Sequence, residues 1–221
     1  MNTKSHHMVA LLFIGAILGG CATSRSEIRL PSAAAATAPQ TTTTGRTVVI
    51  RSVKDERVFE QAPSVPSIPS LGFEGALKAS DDVKARAVGR KRGGFGKALG
   101  DVLLENGQTV VGLVRENLTT VFQQAGYRVA NESAIDPTVL VVDVHVKQFW
   151  AWFQPGFWAI KLHANIETDL DVSGAHSPTT VSVHVEDSRQ MATEGAWLQI
   201  VETALIAYRT EAASRLSKPP F

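Results

Sequence analysis

Apolar and polar residues alternate with a period of two along most of the stretch from Leu140 to Ser188. In Leu140 to Phe153 the apolar positions are Leu140, Val142, Val144 and Val146, with Asp143, His145 and Lys147 pointing the other way. In Phe157 to Val172 they are Trp158, Ile160, Leu162, Ala164, Ile166, Leu170 and Val172, and in Thr179 to Ser188 they are Val181, Val183 and Val185. Such alternation predicts antiparallel strands with one face covered and one wet. Gln154-Pro155-Gly156 and Ser173 to Pro178 supply the turns. An earlier β-branched run, Thr47 to Val53, predicts another strand. The period lengthens to three and four in Gln108 to Ala125 (Val111, Val114, Leu118, Val121, Phe122) and again in Glu194 to Leu216 (Trp197, Val201, Ala204, Tyr208, Ala212), predicting two helices. The expected order is βαβββα, an α+β domain over 47–221 with a four-stranded, mainly antiparallel sheet and two helices packed on one face.

The first twenty residues follow a different rule. A short head with Lys4 precedes the apolar run Met8 to Leu18, and Gly19 and Gly20 lead to Cys21. Charged head, apolar middle and small-residue exit describe a secretory leader over 1–20. Leu18-Gly19-Gly20-Cys21 resembles a lipobox, in which the cysteine is acylated through sulfur and becomes the new N-terminus. Cys21 is the one cysteine of the 221 residues, so no disulfide partner competes for it. Ala22 is not the aspartate that retains enterobacterial lipoproteins in the inner membrane, and that resemblance implies the periplasmic face of the outer membrane. Residues 21–46 include PSAAAATAPQTTTT and are expected to be a lipidated flexible tether, spanning about 25–30 Å as a coil.

Charge narrows the partners. A formal net charge of +1 gives no bias toward nucleic acid. Basic residues do concentrate at the end of a Gly/Pro-rich insert, 61–97, where Arg90, Lys91 and Arg92 are candidates for contact with anionic headgroups. Its Gly93-Gly94-Phe95-Gly96-Lys97-Ala98 follows no convincing strand and ends in Ala, so it is not read as a phosphate loop.

The densest chemical signal is the hairpin tip around Pro155. A turn centred there pairs Trp152 with Trp158 on the core face and Phe153 with Phe157 on the other. Phe149, Trp152, Phe153, Phe157 and Trp158 are candidate contacts for a partner or lipid, because aromatic groups on both faces exceed what a one-sided core requires. The alternative is that the insert folds over the second face. The same register sets His145 opposite Asn165 and His163 opposite Lys147, with His184 outward on the next strand. This arrangement is read as a solvated polar face and not as a metal site. No Ser lies in a nucleophile motif such as G-x-S-x-G, so no catalytic residue is assigned.

The leader, the strand with its Asp55-x-Arg57 exit, the helix ending in Ala125-Gly126-Tyr127-x-Val129 and the strand triplet before the last helix together resemble the YajG-type lipoproteins of the outer membrane. The resemblance runs from about Thr47 to Leu216. It implies a non-enzymatic, lipid-anchored protein without a cofactor, acting as a binding or assembly partner in the cell envelope. The βαβββα plan is also similar to auxiliary lipoproteins of lipid and lipopolysaccharide transport, which stand as the alternative.

Overall fold

The computed structural model describes residues 25–33, 45–93, 97–156 and 158–221. The leader, Cys21, most of the expected tether, Gly94 to Gly96 and Phe157 lie outside the described residues.

The helices begin and end where side chains can satisfy the backbone. In α2 (Val110–Gln124), Thr109 caps the start by accepting from the Gly112 amide at 3.1 Å. Gly126, at φ +86°, turns the chain after its last residue. In α3 (Glu194–Leu216), Thr193 accepts from the Ala196 amide at 3.2 Å. Trp197, Val201, Ala204, Tyr208 and Ala212 form its buried stripe, as the spacing predicts. A six-residue helix, α1, spans Asp81–Arg86.

Eight strands build one mixed sheet: β1 (Ser26–Ile28), β2 (Thr47–Asp55), β3 (Ala87–Arg92), β4 (Ala98–Leu104), β5 (Arg128–Val129), β6 (Leu140–Gln154), β7 (Ile160–Val172) and β8 (Thr179–Arg189). The expected four-stranded βαβββα sheet with two helices is therefore wrong: the described residues hold eight strands and three helices. The additional strands are short and lack alternation. β1 comes from the stretch read as tether, and β3 with α1 from the stretch read as insert. Leu30 and Ala33, just after β1, are buried as well.

The sheet forks at β6. One edge of this long strand pairs antiparallel with β7 along its length, and β7 pairs antiparallel with β8. The other edge is shared. β2 runs parallel to it over Leu140 to Val146, then β3 joins, also parallel, with Gly89 opposite Ala151. β4 and β1 extend the β3 branch, and β5 extends β2.

At the fork sits Arg57, buried just after β2. Its guanidinium donates to the carbonyls of Ala87 (2.6 Å), Phe149 (3.1 Å) and Lys84 (2.7 Å) and pairs with Asp55 (2.7 Å). Where one strand leaves an edge before the next arrives, carbonyls lose ladder partners, and Arg57 supplies the missing donors.

A β-bulge at Lys147 then reverses the sides of β6. Before it, Val142, Val144 and Val146 face α2 and α3; after it, Phe149, Ala151 and Phe153 do. Trp150 and Trp152 consequently turn to the opposite face, where Leu71, Ala87 and Leu103 join them in a second cluster under Phe59, Ala79 and Val83. The Trp150 indole donates to the Pro66 carbonyl at 3.2 Å, and Phe59 meets its ring edge-on at 6.1 Å. The insert thus covers Trp150 and Trp152 on the second face, while Trp158 in the turn is exposed.

Candidate functional site

Two places combine exposed or convergent chemistry. The first lies on the open face of β7 and β8. His163 on β7 stands opposite Glu186 on β8, and Asn165 stands opposite His184. Since alternate residues share a face, His184 and Glu186 both lie beside His163. His163 Nδ1 is 3.4 Å from His184 Nε2 and 3.7 Å from a Glu186 carboxylate oxygen. One donor atom from each residue falls within 4.8 Å of the other two.

Trp152 walls this cluster, stacked on His163 with centroids 5.1 Å apart and planes at 10°, and tilted over His184 at 5.7 Å. His184 Nδ1 bonds Asn165 Oδ1, and Asn165 Nδ2 in turn donates to Gln148 at 3.2 Å. Lys161 Nζ holds the other Glu186 oxygen at 3.0 Å. Burial, and then the neighbouring His184, push the His163 imidazole below its usual range. The Lys161 hydrogen bond likewise holds the Glu186 carboxyl down. His163 Nε2 is buried without a hydrogen-bond partner.

The second place is one end of the sheet. β3 and β6 end there, the β6–β7 turn and the end of β8 complete it, and β1 starts from the same side, with Ser26 beside Val102 and Arg25 just before it. Arg25 pairs with Asp101 at 3.1 Å and lies 4.5 Å over the Phe73 ring. Phe73 takes φ +59°, a strained conformation for a bulky residue. Phe73 beside Arg25 is exposed (67 %), as are Trp158 in the β6–β7 turn (85 %) and Met191 just after β8 (70 %).

The candidate residues read from the sequence separate accordingly. Phe149 and Phe153 lie in the main core and Trp152 in the second cluster, so these three are packing groups. Their burial follows from the bulge and from a register one-sided alternation did not show: Trp152 faces His163, not Trp158, and Phe153 faces Leu162. Trp158, expected on the core face opposite Trp152, is instead exposed, and Phe157 and Cys21 lie outside the described residues. Arg90, Lys91 and Arg92 are half-buried on β3, and burial pushes the Arg90 and Arg92 guanidiniums down. His145 meets neither Asn165 nor a metal cluster; its ring contacts Glu56 at 2.5 Å and Asp171 at 3.1 Å.

No protein-family model and no curated protein matches the chain. Its likeness is to solved structures. One uncharacterized protein, at 10% identity, aligns over 88% of this chain and 99% of its own with a TM-score of 0.43. A neuraminyllactose-binding hemagglutinin homolog from Helicobacter pylori, at 13% identity, aligns over 82% and 91% with a TM-score of 0.36. Both TM-scores lie below 0.5, so neither likeness says what this chain binds or does.

The sequence carried no signal for Phe73, Leu77 and Met191, which are isolated apolar residues in irregular segments. For the His163–His184–Glu186 cluster, the alternation of β7 and β8 did contain the signal, but it needed the register.

Proposed function

We propose that this chain is a non-enzymatic outer-membrane lipoprotein, acylated at Cys21, whose sheet end rests on the bilayer while the rest of the body binds another envelope component. The observation that carries the reading is the distance between anchor and fold. Leu18-Gly19-Gly20-Cys21 has lipobox form, and Arg25, the first described residue, follows only four positions later. Four residues reach at most about 14 Å. A thiol acylated at that position keeps Arg25 within reach of the headgroups, and Arg25 lies against the exposed Phe73 ring on the side of the sheet where the β6–β7 turn carries the exposed Trp158. Amphipathic aromatic rings and a basic side chain suit that interface. The resemblance to YajG-type lipoproteins supports the same location.

Exchanging Cys21 for Ser tests the anchor. The variant should lose palmitate label and leave the membrane fraction for the soluble periplasm. Unchanged membrane recovery with label retained would overturn the assignment.

A further inference from the structure

We propose that His163, His184 and Glu186 form a binding site for a divalent transition-metal ion of the zinc, copper or nickel class. The site lies on the face of β7 and β8 and is independent of acylation. Two imidazoles and a carboxylate suit these ions better than calcium or magnesium, which take oxygen ligands.

Geometry favours the set. Donors bound tetrahedrally at about 2.0–2.1 Å lie about 3.3–3.4 Å from one another. His163 Nδ1 and His184 Nε2 already stand at 3.4 Å. The Glu186 oxygen stands at 3.7 Å from His163 Nδ1, and all three donors lie within 4.8 Å of one another, so rotation of the exposed Glu186 side chain closes the remaining gap.

The surroundings prepare the ligands. An Nδ1–H donated by His184 to Asn165 leaves its Nε2 lone pair facing His163. This is the outer-shell hydrogen bond that orients metal-bound histidines, and Gln148 holds Asn165 in turn. In the protein alone, only one proton can sit between the two facing imidazole nitrogens; a cation replaces it and engages both. Lys161 occupies one Glu186 oxygen and leaves the other for the ion. Trp152 closes one side, and the solvent side leaves a fourth position open for water or a ligand atom.

The test uses the full chain with Cys21→Ser, so that no thiol competes, made without a histidine tag and stripped with chelator. Titration with Co²⁺ should give the intense visible bands of a tetrahedral site, and Cu²⁺ should quench tryptophan emission through the stacked Trp152. Zn²⁺ should displace Co²⁺. His184→Ala and Glu186→Gln alter exposed side chains and should weaken Co²⁺ binding tenfold or more, while His176→Ala, in the exposed turn between β7 and β8, leaves it unchanged. The proposal is overturned if Co²⁺ shows no tetrahedral bands, or if His184→Ala binds as tightly as the parent chain.

Discussion

Arg57 is a single side chain that holds three strands. Its guanidinium bridges Asp55 at the end of β2, Lys84 in α1, Ala87 at the start of β3 and Phe149 within β6. Removing it strands three carbonyls and leaves Asp55 without its cation. Arg57→Ala should therefore lower unfolding free energy by about 3–5 kcal/mol in urea titrations, the range for breaking a buried pair. Arg57→Lys should recover little, because an ammonium cannot serve that fan of acceptors. The neighbouring Glu56 has the opposite character. Lys147 (2.6 Å) and His145 (2.5 Å) hold its carboxyl down to about 2, from an ordinary 4.5. A depressed carboxylate contributes stability that is complete above its unfolded value and vanishes as pH falls through the folded one. The melting temperature of Glu56→Gln should consequently lie below that of the parent at pH 5, and the two should converge as pH drops from 4.5 toward 2. A constant gap across that interval would refute the linkage.

At the scale of elements, the β3 branch joins the rest of the sheet at a tight point. A β-carbon on Gly89 would stand 2.8 Å from the Ala151 carbonyl oxygen and 3.3 Å from the Trp197 ring. Gly89→Ala should push β3 from β6 and cost about 1–3 kcal/mol, with loss of amide protection concentrated in β3 and β4 when followed by hydrogen exchange. The same region marks the limit of legibility in the sequence. α2, α3, β7 and β8 were readable because each repeats its period over at least ten residues. Serine, glutamate and isoleucine in β1 form no pattern, Ala87-Val88-Gly89 passes at once into basic residues, and Gly100 and Asp101 interrupt β4. Asp101 is wholly buried yet reads as a surface residue; it accepts from the Gly72 amide at 2.6 Å and pairs with Arg25. The bulge at Lys147 hid the most, since one extra residue exchanged the faces of every aromatic group after it.

For the whole molecule, the short reach between Cys21 and Arg25 predicts a fixed posture. When the lipidated protein is inserted in vesicles, Trp158 emission should shift to the blue and be quenched by brominated lipid. Trp158→Phe should remove most of that quenching. Inserting about twenty Gly/Ser residues after Ala22 should reduce it, since a longer leash dilutes the sheet end near the bilayer. Trp158 remaining as accessible to acrylamide on vesicles as in detergent would contradict the posture.

The pairing of β1 with β4 also bears on the order of assembly. Ser26 finds its partner at Val102, whereas β6, β7 and β8 zip to near neighbours across two turns. Closing the longer loop is the slower event, so the segment that emerges first is among the last to dock. Until it does, the outer edge of β4 is a bare strand that a second chain can occupy. Crowded, half-assembled copies are thus most exposed to mispairing at that edge, and early capture of the N-terminus away from other copies protects the nascent fold.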